Sequence, residues 1–318
     1  MGGEIMNTNL KKDNTFAEKK GFLEKYWKTL EYGFKSTFKS ARLYVFSVFL
    51  PIFIYLFVNL LQSNFDKQMI NPGIIMTFLF IPSLCSIFLV SAVVTDWRES
   101  IFFKQMHLFK INKVTFILAF LAVFIVINII FLLVFILLAL GIDLFLTNKS
   151  FTVALTLKSY NTLMLQEQVA TVATFRRILG IFYLLMLSSV FYFFVGFFFA
   201  FAIKNIAFIQ IINLLIVSIS LIAGDIMFNP NSGVLYNELY YFGFLIPQKY
   251  FTWFMYGLYV DLQTNDNLIN LVIVNLATKL FLIDYYFLVP FTLLWTALIS
   301  VVAIFNFNGG KKHHEKIT

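Results

Sequence analysis

Six stretches of the chain, residues 43–61, 73–95, 115–146, 178–203, 206–223 and 285–305, are apolar and almost free of charge. Each is close to the roughly 20 residues a helix needs to cross about 30 Å of hydrocarbon. In such a slab every backbone N–H and C=O must be satisfied within the protein, which leaves helices or a closed barrel. Strict alternation of apolar and polar residues is missing, and this excludes an outer-membrane barrel. The chain is therefore read as an all-α, polytopic membrane protein with six transmembrane helices. The composition agrees: 60% of the 318 residues are hydrophobic and 13% are charged, whereas a soluble domain is nearer half apolar and a quarter charged.

The net charge of +8 is unevenly spread. With six spans and both termini cytoplasmic, nine Lys and Arg precede residue 43, four lie in 96–114, one is Lys204 and three are in the tail. The opposite side holds seven, among them Arg176 and Arg177, which flank the fourth span. This is the positive-inside pattern, and it argues against nucleic acid as the partner of the basic residues. The first apolar run follows more than 40 polar and charged residues, so the first span is expected to direct insertion without a cleavable signal. The richness in Phe, Ile, Lys and Asn suggests an AT-rich bacterial genome, hence a bacterial plasma membrane. Cys85 lies inside the second span and reads as a small apolar filler.

Four regions follow: a disordered tail over 1–21, an interfacial helix over 22–42, the six-span body over 43–305 and a cytoplasmic tail over 306–318. In 22–42, Leu23, Trp27, Leu30, Phe34, Phe38 and Ala41 recur every three or four residues. Lys28, Glu31, Lys35, Lys39 and Arg42 fill the adjoining stripe. A basic amphipathic helix of this kind lies at the membrane surface, with Trp27, Phe34 and Phe38 toward lipid and Lys35, Lys39 and Arg42 toward phosphates. The same pattern also suits a helix packed on the protein's own base. The outer connection 147–177 contains "LMLQEQVATVATFRRI", read as a short helix. After "NPNSG" at 229–233 the chain is aromatic-rich but interrupted by Glu238, Gly243, Pro247 and Lys249. It reads as a re-entrant or interfacial hairpin on the outer side. Residues 266–283 continue as a moderately apolar helix.

Catalytic groupings are not apparent. The three histidines, His107, His313 and His314, fall outside the spans. No HExxH pattern, paired intramembrane carboxylates or GxxxxGK[ST] phosphate loop occurs, so the chain is expected neither to be an enzyme nor to bind ATP or a metal itself. Asp143, Asp225 and Asp284 sit near span ends and read as hydrated edge acids. The run "FYFFVGFFFAFAIKN" reads as lipid-facing Phe, with Gly196 permitting close helix approach.

Order and spacing across about residues 22–305 resemble the membrane subunit of a type-2 ATP-binding-cassette exporter. An amphipathic elbow precedes span one. "TDWRES" opens the charged segment between spans two and three. Gly196 and Lys204-Asn205 mark the turn between spans four and five. "SLIAGDIMFNP" ends span five, and "LIPQKY" precedes span six. Ser100 stands where the family often has Gly, the charged loop lacks Pro, and 147–177 is longer than usual. The resemblance implies a dimer of six-span permeases, as homo- or heterodimer, with two cytoplasmic ATPase subunits that supply ATP and Mg chemistry. It also implies an export path near the dimer interface lined by spans two and five, for which Ser83, Ser86, Asn213 and Ser218 are nominated. The stretch "DWRESIFFKQMHLFKINK" (96–113) would dock on the ATPase. There Phe102, Met106 and Phe109 form a ridge at i, i+4 and i+7 beside Phe103, with Arg98 and Glu99 fixing register. The alternative is a membrane component doing sensing or mechanical work on a protein partner without solute export.

Overall fold

The computed structural model describes residues 24, 26–65, 76–99, 113–145, 167–227, 242–260 and 285–309. Helix α1 covers 26–38. Helix α2 runs from 41 to 65 in three pieces: Ala41–Tyr44, a π-helical turn Val45–Phe49, and Leu50–Phe65. Pro51 accounts for the widened turn, because its ring crowds the preceding turn and it has no N–H to bond back. Helix α3 opens with a tight 3₁₀ turn, Thr77–Phe80, and continues as Ile81–Glu99. Pro82 falls where the 3₁₀ turn passes into α-helix, and its missing N–H removes one bond back to the preceding turn. Then follow α4 (Lys113–Phe145), α5 (Glu167–Ala202), α6 (Ile206–Ala223), α7 (Pro247–Val260) and α8 (Tyr285–Gly309). Among the described residues no strand occurs, and six helices are long and apolar enough to cross a membrane.

Contacts fix the direction of each span. Arg42 at the start of α2 pairs with Asp96 near the end of α3. Trp97 packs on Phe116 near the start of α4. Arg98 bonds Ala200 and Ile203 at the end of α5, beside the start of α6. Phe307 near the end of α8 stacks on Phe116 and meets Phe201. All these ends share one side, the base. At the far side, Tyr55 of α2 bonds Asp143 near the end of α4. The spans thus alternate, and the described chain enters and leaves the bundle at its base.

Helix α3 is the axis. Its apolar window is wholly buried, whereas the other five spans are buried over half of theirs or less. That is why the second span can be rich in small and hydroxylated residues: it faces helices, not lipid. Around it the aromatic residues turn inward. Phe193 packs on Phe120, Phe124 and Phe197, and Phe191, Tyr192, Phe193, Phe194 and Phe197 are all buried. The lipid-facing reading of 191–197 is therefore wrong. Lipid-side apolar surface is supplied by α4, α6 and α8, through residues such as Leu137, Leu215 and Phe305.

The sequence reading shifts at three other places. Residues 96–99 extend α3 and are not loop. The helix expected within 147–177 is continuous with the fourth span, since α5 starts at Glu167. Helix α8 runs to Gly309, four residues into the expected tail. Residues 1–21, 266–283 and 310–318 lie outside the described residues.

Asp143 is not a hydrated edge acid but is buried, and Tyr55 Oη donates to its Oδ1 at 2.9 Å. Asn59 Nδ2 donates in turn to Tyr55 Oη at 3.4 Å. Tyr55→Phe is expected to destabilise the bundle by about 1–3 kcal/mol, the cost of withdrawing a donor from a buried acceptor. Thermal unfolding in detergent would read this as a lower midpoint, and an unchanged midpoint would refute the bond's contribution.

Candidate functional site

The base is organised by three consecutive residues of α3. Asp96 accepts two hydrogen bonds from Arg42 Nη1, each 2.8 Å, which fastens the first turn of α2. Trp97 is buried against Phe116 and Phe120 of α4 and lies 6.3 Å from the Tyr32 ring of α1. Arg98 donates from Nη1 to Ala200 O (2.6 Å) and Ile203 O (2.7 Å), and from Nη2 to Lys204 O (2.9 Å). These are carbonyls that a helix end leaves without intrahelical donors, and a cation suits the negative end of the helix dipole. Just beyond them Asn205 caps α6, its Oδ1 accepting from Ala207 N at 2.9 Å. Three residues therefore gather α1, α2, α4 and the α5–α6 turn.

Helix α1 packs along the bundle through Gly33. A Cβ there would lie 3.2 Å from Val123 of α4, and Trp97 is close by. Leu30 is buried, whereas Trp27 is 66% and Phe38 is 36% exposed. Phe34 is half-buried and Lys39 exposed. Lys35 is exposed and paired with Glu31 on its own helix. Arg42 belongs to α2, not to the amphipathic helix, and its charge meets Asp96. Of the residues nominated for docking, Arg98 is engaged within the chain. Phe102, Phe103, Met106, Phe109 and the side chain of Glu99 lie outside the described residues.

The interior holds a hydroxyl and amide ladder. Asn128 of α4 donates to Ser83 Oγ of α3 at 3.2 Å and also to Ser189 Oγ of α5, while the two serines are 3.2 Å apart. Asn213 of α6 donates to Ser91 Oγ at 2.7 Å. Such bonds join helices where lipid offers no alternative partner. The structure does not gather the four nominated path residues. Ser83 faces α4 and α5, Ser86 bonds back to Ser83 O, Asn213 meets Ser91, and Ser218 is half-buried on α6.

The far side carries a feature the sequence reading missed. Asp225, just past α6, and Lys249, in the first turn of α7, form an ion pair at 3.2 Å with side-chain exposures of 1% and 2%. Trp253 Nε1 donates to the same Asp225 oxygen at 2.7 Å. The Lys249 ammonium also sits 4.7 Å from the centre of the Phe244 ring, within cation–π range. Asp225 is thus buried, contrary to the edge-acid reading; Asp284 lies outside the described residues. Burial pushes the Asp225 carboxyl above the ordinary carboxylate range and the Lys249 ammonium below the ordinary lysine range; each partner's charge opposes the shift without cancelling it. The available signal was Lys249 itself, since a lysine set in an aromatic stretch needs an acid wherever that stretch is buried. Beside the pair, Tyr192 of α5 donates to Gln248 Oε1 at 2.8 Å, so the start of α7 reaches α5 about half-way along its apolar stretch.

No family model matches the chain, and no curated protein matches it either.

Proposed function

We propose that the chain is the transmembrane subunit of an ATP-driven exporter of the type-2 ATP-binding-cassette kind, in a bacterial plasma membrane with its base toward the cytoplasm. The observation that carries this reading is the arrangement at Asp96, Trp97 and Arg98. The segment that follows them starts from a helix end tied to α1, α2 and the α5–α6 turn, and it leads directly into α4. A push on that segment from a cytoplasmic partner would reach four elements at once. The start of α7, reaching Tyr192 from the far side, supports a re-entrant helix on the outer face. Helix α1, with Trp27 and Phe38 exposed, supports an elbow at the inner membrane surface. ATP and Mg act in a separate ATPase subunit, and a second permease chain completes the transporter.

The test is purification of the tagged chain from its native membrane in mild detergent. A stoichiometric polypeptide bearing a phosphate loop should accompany it, and ATP hydrolysis should track that polypeptide. Phe102→Ala should weaken the association by about 1–3 kcal/mol, as loss of an aromatic anchor does. Hydrolysis by the chain alone, or purification with no ATPase attached, would overturn the reading.

A further inference from the structure

The Asp225–Lys249 pair joins the segment just past α6 to the first turn of α7. Helix α6 stops at Ala223, where Gly224 N bonds Ser220 O at 3.0 Å. Asp225 then takes φ 58°, the one positive φ of a non-glycine residue among those described. Asp tolerates this left-handed conformation better than most residues, yet it is still a less populated one. The turn before α7 comes back over the end of α6 at van der Waals distance. A Cβ at Gly243 would lie 2.7 Å from Ala223 O and 2.8 Å from Lys249 Nζ, and one at Gly224 would lie 2.7 Å from Gln248 Cγ. Only glycine allows the two segments to close this tightly.

The closed arrangement is held by charge at a cost. Asp225 Oδ2 receives both Lys249 and Trp253, while Oδ1 is buried with no hydrogen-bond partner. A buried ion pair can lose more solvation than its mutual attraction returns, unless every lone pair is satisfied. The directions of the two pKa shifts agree with that balance. Removing one partner is a different matter, since it strands a buried charge that only water could then solvate.

We propose that Asp225 and Lys249 form a charge latch that closes α7 onto the far end of α6, and that loss of either charge alone opens it. The pair is close to neutral for closure as a whole, and each member is needed because the other is there. The latch belongs to the chain itself and does not depend on an ATPase partner.

The test uses Thr252→Cys as a reporter in the full-length Cys85→Ala protein. Thr252 is buried on α7 one turn beyond Lys249, so an impermeant methanethiosulfonate in detergent should modify the reporter slowly while the latch is closed. Asp225→Asn or Lys249→Met alone should speed modification by about tenfold or more, because each leaves one buried charge unpaired. Asp225→Asn combined with Lys249→Met should return the rate to within about threefold of the parent, since no buried charge is left without its partner and the asparagine keeps an acceptor for Trp253 at a backbone conformation it tolerates. Trp253→Phe keeps both charges and removes one donor, and should give a smaller rise of about threefold. If the single variants do not fold, the double variant and Trp253→Phe still decide the matter. A double variant that labels as fast as a single one, or as fast as unfolded chain, overturns the latch. So do Trp253→Phe or single variants that label at the parental rate.

Discussion

Replacing Gly196 with leucine is expected to force α3 and α5 apart and to destabilise the bundle by about 3 kcal/mol or more, at the upper end of what overpacking a close contact costs. The position is a tight approach of α5 to the central helix. A Cβ at Gly196 would lie 2.9 Å from Ile87 O and 3.0 Å from Val90 Cβ. Neither atom can yield without moving the α3 backbone. Small residues at such crossings are how membrane helices gain close packing when no hydrophobic drive separates helix from lipid. Gly196→Ala is the more informative control. Relief from glycine in a helix interior is worth about 1 kcal/mol, against an overpacking cost of about 1–3 kcal/mol, so the alanine variant should lie from near neutral to moderately destabilised. Thermal unfolding in detergent, followed by size-exclusion profile, should rank parent, alanine and leucine in that order. A leucine variant that unfolds at the parental temperature would show that α3 and α5 do not meet here.

The six spans were legible because crossing hydrocarbon imposes length and apolarity on a contiguous stretch, and both are local properties. The described spans begin and end within a few residues of the apolar runs. What hydropathy could not see is where a helix continues in polar residues. Asp96 and Arg98 look like the start of a loop, yet they are helical because each is bonded to another element. Likewise α5 begins at Glu167, since no proline lies between that residue and Ile178 to stop a helix entering the span. The small residue at 196 was visible as a site of close approach, but its partner on α3 was not. The Phe-rich run misled because aromatic side chains serve lipid and core equally well. Only burial showed that Phe193 and Phe197 point inward. The Asp225–Lys249 pair stayed hidden for a related reason. Its members lie far apart in the sequence, and Lys249 alone read as an interruption of an aromatic-rich stretch.

Substitution at Arg98 should produce the second large effect, and the base supplies its own comparison. Arg42 and Asp96 form a geometrically good pair, but their side chains are 46% and 48% exposed. Water screens such a pair, so Arg42→Ala is expected to cost no more than about 1 kcal/mol. Arg98 is a guanidinium of the same chemistry placed half-buried on three carbonyls, Ala200 O, Ile203 O and Lys204 O. Arg98→Leu leaves those acceptors at the end of α5 without their donor. A hydrogen bond to a charged group is worth about 1.5–3 kcal/mol, and the three are not additive because water can reach part of the site, so a loss of about 2–4 kcal/mol is expected. Arg98→Lys should recover only part of it. An ammonium is a point donor, whereas the planar guanidinium spreads its N–H groups across separated acceptors. Unfolding midpoints should therefore fall in the order parent, Arg42→Ala, Arg98→Lys, Arg98→Leu. Amide exchange should rise in the 203–209 turn of the Arg98 variants and stay unchanged there in Arg42→Ala. If Arg98→Leu and Arg42→Ala are equally mild, α3 does not hold the α5–α6 turn.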